Sequence, residues 1–376
     1  MSLNQKFLAH VRAATRSLLR RGPAVARTVM EESVKNVNAM QAAAVESAAS
    51  LTPPPPPPAS NQSSYDAVSD MLADLSRVSL ENNPFIATPL STGPATVDLS
   101  GHFIDASYTN EAGTRDYKLY VPGSYAGQAV PLVVMLHGCT QHPDDFALGT
   151  GMNRLAEEYG CLVAYPAQSQ LANASRCWNW FSAADQQRDQ GEPSIIAGLT
   201  RDIMARYAID PARVFVAGLS AGGAMAAIMG TLYPDLYAAV GVHSGLPFAA
   251  AHDLPSALAA MKGDFRTHHK PNKSLPIIVF HGDRDTTVHP ANGDELIKWR
   301  RRHPAEDIVV EPGTVPDGHA YTRTVHRKPD GSIHAEHWVI HGSGHAWSGG
   351  DTRGTYTDGR GPNASREMMR FFRTAR

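Results

Sequence analysis

The segment Gly218-Leu219-Ser220-Ala221-Gly222 sets a serine between two glycines, directly after the apolar run Val214 to Ala217 and before the small-residue stretch AGGAMAAIMG. A strand that turns sharply into a helix at such a serine presents its hydroxyl at the turn, and the glycines let the backbone pass close to its neighbours. The chemistry predicted is nucleophilic attack. A hydroxyl is a weak nucleophile until a base takes its proton, so the chain must also hold a histidine and an acid to orient it. Where this turn is used, the chain order is serine, acid, histidine.

The run LPIIVFHGDRDTTVHP carries Asp283 and Asp285 past a strand ending at Phe280. Asp285 lies further beyond the strand and is the expected orienting acid, with Asp283 as the fallback and otherwise a turn former. In EHWVIHGSGHAWSGG a strand ends near His341 and a Gly/Ser loop presents His345. Of the 17 histidines, His345 alone combines loop position with chain order, and His281, His289 and His341 read as structural or capping residues. Attack on a carbonyl builds an oxyanion that needs preorganised N–H donors. The amide of Ala221 is one expected donor, and the amide of Cys139, in PLVVMLHGCTQ after an earlier strand, is the other.

The elements that must position these groups alternate in type. His102 to Thr109 and Arg115 to Val121 read as an antiparallel hairpin around NEAG. The apolar run Pro131 to Leu136, a helical segment Met152 to Tyr159, a run Cys161 to Tyr165 and a helical period Ser194 to Tyr207 follow. Val214 to Ala217, Ala238 to Val242 and Leu275 to Phe280 are further buried-strand candidates. Strands alternating with helices predict an α/β fold, with a mostly parallel central sheet, helices on both faces and chemistry beyond the carboxyl ends of the strands.

The chain has 376 residues, 42% hydrophobic and 19% charged, with 34 Lys+Arg against 36 Asp+Glu. A near-neutral balance argues against nucleic acid as a partner, which calls for clustered positive charge. Three cysteines exclude a disulfide scaffold. No apolar stretch is long enough for a transmembrane segment, and no apolar core follows the basic start as a secretory signal would require, so a cytoplasmic location is expected.

Residues 1–94 differ from residues 95–376 in composition and are expected to form an extension to one large domain. Six prolines, Pro53 to Pro58, predict a stiff spacer. Before it, Phe7, Leu8, Val11, Leu18 and Leu19 share a helical face, with Lys6, Arg12, Arg16, Arg20, Arg21 and Arg27 as positive charge. Such a basic amphipathic helix suits docking to an anionic surface. A short amphipathic segment, residues 65–80, follows the spacer.

Five segments, LHGCTQ at 136–141, RCWNWF at 176–181, VFVAGLSAGGAMA at 214–226, HGDRDTTVHP at 281–290 and GSGHAWSGG at 342–350, together resemble the polyhydroxybutyrate depolymerase-like esterases of the α/β-hydrolase superfamily. The oxyanion segment precedes the serine, which resembles the type 1 catalytic domain. The resemblance implies a serine carboxylic-ester hydrolase with Ser220, Asp285 and His345 as triad, cleaving polyester, its oligomers or small esters without metal or organic cofactor. It implies nothing about residues 1–94, for which a lipid or a storage-granule coat is the expected anionic surface; many relatives are extracellular. A feruloyl- or acetylxylan-type esterase is the alternative substrate class. A granule-surface protein with an inactive hydrolase domain is the alternative of a different class, disfavoured by the intact triad residues. Trp178, Trp180 and Trp347 are expected to line an apolar substrate groove. Cys139 and Cys177 are expected to pair and pin the RCWNWF loop, leaving Cys161 as a buried thiol.

Overall fold

The computed structural model describes residues 100–264, 275–298 and 307–374. The expected basic helix, proline spacer and short amphipathic segment of residues 1–94 lie outside them.

A hairpin opens the domain. Strands β1 (His102–Asn110) and β2 (Gly113–Val121) pair antiparallel about Glu111 and Ala112. Strands β3 (Val130–Leu136), β4 (Leu162–Pro166), β5 (Ile209–Leu219), β6 (Ala239–His243), β7 (Ile277–Gly282), β8 (Asp307–Thr314), β9 (Ala320–Arg327) and β10 (Ile333–Ile340) complete one ten-stranded sheet. Its order is β1-β2-β4-β3-β5-β6-β7-β10-β9-β8. The neighbours from β4 to β10 all pair in parallel, and antiparallel strands close both edges.

The central strands are buried on both faces, which is why they read as continuous apolar runs rather than alternations. Within β3, Leu132, Val134 and Leu136 enter one core, and Val133 and Met135 enter the other. The helices cover these faces. Between β3 and β4 lie α1 (Pro143–Thr150) and α2 (Met152–Tyr159), the latter held between Gly151 and Gly160, both left-handed with φ 62°. On the opposite face α3 (Gly191–Arg206) buries Ile196, Leu199 and Ile203, and α4 (Ala221–Leu232) buries nearly all of its small side chains. Each fully buried large aliphatic residue contributes about 1.5–3 kcal/mol of transfer free energy. The shorter helices α5 (Leu254–Met261) and α6 (Ala291–Lys298) flank β7 in sequence.

At the C-terminus α7 (Ala364–Thr374) buries Met368, Phe371 and Phe372, with the Phe372 ring stacked on Phe215 at 4.6 Å. Two residues each of β11 (Trp347–Ser348) and β12 (Thr357–Asp358) form a small second sheet. Because the central strands are parallel, the carboxyl ends of β3, β5, β6, β7 and β10 share one rim of the sheet. The loops that leave this rim carry Cys139, Ser220, Ser244, Asp285 and His345.

Candidate active site

Ser220 sits between the last residue of β5 and the first of α4, with φ 57° and ψ −120°. A non-glycine residue held there stores about 1–3 kcal/mol of backbone strain. The flanking glycines explain how the turn is accommodated. A β-carbon on Gly222 would lie 2.1 Å from the Leu136 carbonyl oxygen, and one on Gly218 would lie 2.3 Å from that of Gly222. Strand β3 therefore passes within contact distance of the turn, and its outgoing loop comes with it. The Ser220 amide donates to the carbonyl of His243 at 2.9 Å, which ties the turn to β6.

Ala221 opens α4, so its amide is one of those a helix leaves without an intrahelical acceptor. The loop bearing Cys139 is braced on several sides. The Gly138 amide donates to Gln141 Oε1 at 2.9 Å, and the Thr140 amide to the Ser175 carbonyl at 2.7 Å. Cys139 and Cys177 form a disulfide, with their Cα atoms 4.2 Å apart, and Cys161 is a buried free thiol. Buried His137 fixes the same loop from within, its Nδ1 2.7 Å from the Gly138 oxygen and its Nε2 accepting the Gln168 amide at 3.1 Å. Burial lowers its pKa to about 4, so this imidazole is neutral at neutral pH.

Asp285 and His345 come together as their order predicts. His345 Nδ1 lies 2.7 Å from Asp285 Oδ2, and both side chains are buried. The other carboxylate oxygen accepts the amides of Thr287 at 2.9 Å and Val288 at 2.8 Å. His281 Nε2 stands 3.4 Å from Oδ2 and also donates to the Val288 carbonyl at 2.8 Å. Burial alone would raise the pKa of Asp285, but His345 and His281 outweigh it and hold the carboxyl below the usual range. A buried carboxylate on Nδ1 fixes that nitrogen as the protonated one and leaves Nε2 as the basic face.

Asp283, the fallback acid, is occupied elsewhere, accepting the Gly342 amide at 2.7 Å and facing His341 Nδ1 at 2.9 Å. His289 and His341, the other histidines read as structural or capping residues, have such partners. His289 Nδ1 accepts the Ala291 amide at 3.2 Å, and His341 Nε2 lies 2.9 Å from the Thr322 hydroxyl.

A narrow recess of ≈10 Å³ opens beside Ser220, walled by Cys139, Ala221, Trp180, Leu246, Met261 and Val288. Only one of the three expected tryptophans therefore lines it. Trp178 and Trp347 are buried core residues whose indole N–H groups are used internally, by the His137 carbonyl at 3.1 Å and the Ser365 hydroxyl at 3.0 Å. Trp347 packs edge-on against Phe146 at 5.5 Å, so its ring serves the core and not a groove. A separate groove of ≈960 Å³, lined in part by Arg115, Gln141, Gln168 and Arg176, contains neither Ser220 nor His345.

His243 was not singled out by the sequence reading, although a histidine closing an apolar run beside the serine's strand was a usable signal. Among the described residues no group of three or more His, Cys, Asp or Glu is arranged to hold a metal ion. None of the described helices is long and apolar enough to cross a membrane.

Residues 115–303 match the model of the family described as Esterase PHB depolymerase, which is half of the chain and includes Ser220 and Asp285. The chain belongs to this family. Within the PHB depolymerase esterases and their kin, it is 31% identical over 252 residues to poly(3-hydroxyalkanoate) depolymerase C of Paucimonas lemoignei, covering 63% of this chain and 59% of that protein. It is 30% identical over 208 residues to acetylxylan esterase A of Talaromyces purpureogenus, covering 50% of this chain and 53% of that protein. The chain thus spans a little over half the length of these curated relatives. Among solved structures, the acetyl xylan esterase from Aspergillus awamori superposes with a TM-score of 0.54 at 22% identity, covering 69% of this chain and 94% of that one. That likeness bears on the fold alone.

Proposed function

We propose that the chain is a serine carboxylic-ester hydrolase that cleaves polyhydroxybutyrate-type polyester or its oligomers. The observation that carries this reading is the buried carboxylate of Asp285 at 2.7 Å from Nδ1 of His345, on the same rim as a strained serine. In the proposed reaction, His345 Nε2 takes the Ser220 proton as the hydroxyl oxygen attacks the ester carbonyl. The amides of Cys139 and Ala221 receive the oxyanion, and the alcohol leaves with the proton from His345. Water, activated by the same histidine, then cleaves the acyl-serine.

The family and the name of the Paucimonas lemoignei relative support a hydroxyalkanoate polyester as substrate. The acetylxylan esterase relative supports a short-acyl polysaccharide ester as the second reading. We also assign contact with an anionic granule surface to the basic residues between Lys6 and Arg27, on charge alone.

The test is a substrate panel of p-nitrophenyl butyrate, hydroxybutyrate oligomers, acetylated xylan and methyl ferulate, with wild type and Ser220→Ala. Turnover of the butyrate ester and oligomers by wild type alone is the expected result. A wild type inert on every ester contradicts the assignment, and a preference for acetylated xylan moves it to the second reading.

A further inference from the structure

We propose that His243 is a positioning residue that ties the Ser220 turn to the His345 loop, an inference that rests on the hydrolase reading above. His243 closes β6 between two neighbours, paired with Leu219 of β5 on one side and Phe280 of β7 on the other. Its backbone and its side chain act on different halves of the site. The carbonyl accepts the Ser220 amide at 2.9 Å. The ring Nε2 lies 2.9 Å from the amide nitrogen of Ser348, three residues beyond His345.

The tautomer follows from donor chemistry. A backbone N–H can only donate, so Nε2 of His243 carries no proton, and the neutral ring is protonated at Nδ1. Nδ1 stands 3.1 Å from the Ser244 hydroxyl, whose oxygen accepts. The ring is stacked on Phe280 at 5.8 Å and 12° and on Trp347 at 5.1 Å and 26°, which holds its plane, while the Ser348 amide and the Ser244 hydroxyl set its direction within that plane. Its proton state is also held. Burial comes first and the charges of His281 and His345 next in disfavouring the imidazolium, while Asp285 pulls the other way. A protonated ring would turn an N–H toward the Ser348 N–H and break the tie.

Ser348 itself is anchored, since its hydroxyl donates to the Pro362 carbonyl at 2.7 Å and the strand it shares with Trp347 pairs with β12. The loop from His345 to Ser348 is therefore held at one end by Asp285 and at the other by His243. Since His243 also holds the serine turn, the two reacting side chains are registered through one residue. Misplacement of a reacting group by about 1 Å costs on the order of 100-fold in rate.

Two substitutions separate this role from plain packing. Gln can place an acceptor oxygen where Nε2 stands, and Leu fills similar space without one. On p-nitrophenyl butyrate, His243→Leu is expected to lose about 100-fold in kcat with KM changed by no more than about 2-fold, and His243→Gln to recover about 10-fold of that loss. A Leu variant with wild-type kcat, or Gln and Leu variants equally slow, overturns the proposal. Wild-type protein supplies a measurement that no folding defect can obscure. A long-range 1H–15N spectrum should show His243 protonated at Nδ1, and a proton on Nε2 overturns the proposal as well. An inert wild type removes the hydrolase reading and this role with it, whereas an active wild type with an unaffected Leu variant removes only this role.

Discussion

Asp285 and His345, 60 residues apart in the chain, meet through one 2.7 Å contact between Oδ2 and Nδ1 at the rim of the sheet. The remaining carboxylate oxygen is saturated by the Thr287 and Val288 amides, so the acid has no freedom to turn away.

Asp285→Asn keeps the shape of that contact but presents no charge and permits the wrong histidine tautomer. A fall in kcat of about 10⁴-fold is expected on p-nitrophenyl butyrate, with KM little changed. Asp283→Asn is the control. It weakens the brace at Gly342 and His341 and should cost about 1 kcal/mol of stability in urea titrations, with kcat near wild type. Equal rate losses in both variants would contradict the assignment of the acid.

The disulfide between Cys139 and Cys177 joins the loop of the proposed oxyanion donor to the loop of Trp180. Opening it with a reductant, or replacing Cys177 by Ala, should lower stability by about 2–4 kcal/mol. Thiol titration of unfolded, unreduced protein should find one reactive group, Cys161, rising to three after reduction. Three groups before reduction would exclude the bond.

Asp185 gives a pH signature away from the chemistry. Burial first, and then the charge of Glu192, raise its pKa to about 7 from an ordinary 3.8. Its folded form holds a proton that the unfolded chain has released between those values, so its contribution to stability falls as pH rises from about 4 to about 7 and is level beyond. Asp185→Asn removes the titration while keeping an oxygen for the Glu192 amide. The stability difference between wild type and variant should therefore slope by at most about 1.4 kcal/mol per pH unit across that window. A flat difference would show that Asp185 does not titrate there.

The architecture was legible wherever strands are buried on both faces. Val130–Leu136 is an unbroken apolar run, as are residues 277–280 of β7, and Met152–Tyr159 has the bounds its helical period predicts. Strands β8 and β9 escaped notice because at this sheet edge β8 exposes Ile308 and Val310 and carries the breakers Pro312 and Gly313, and β9 has polar residues on both faces. Ser220, Asp285 and His345 could be proposed as a triad because chain order and loop position constrain them together, and the fold brings Asp285 and His345 into contact. Order says nothing about which way a side chain points. That is why Trp178 and Trp347, adjacent to motifs, were expected in a groove and lie in the core. Buried His137 and His243 each close an apolar run, but which loops their rings brace depends on neighbours that only the fold brings to them.

Trp180 is the one tryptophan that walls the recess beside Ser220. Trp180→Ala should enlarge the recess and move the preference among p-nitrophenyl esters from acetyl and butyryl toward longer acyl chains. The check is kcat/KM across an acyl-length series. An unchanged ranking would place the acyl group elsewhere.

Ser220 is assigned here as the proposed nucleophile. The direct measurement is intact-mass and peptide mass spectrometry after reaction with a fluorophosphonate, which traps a serine activated by a neighbouring base. One adduct per chain, mapped to Ser220 and lost in both Ser220→Ala and His345→Ala, is the predicted result. An adduct on another residue, or none on wild-type protein that still turns over the butyrate ester, contradicts the account.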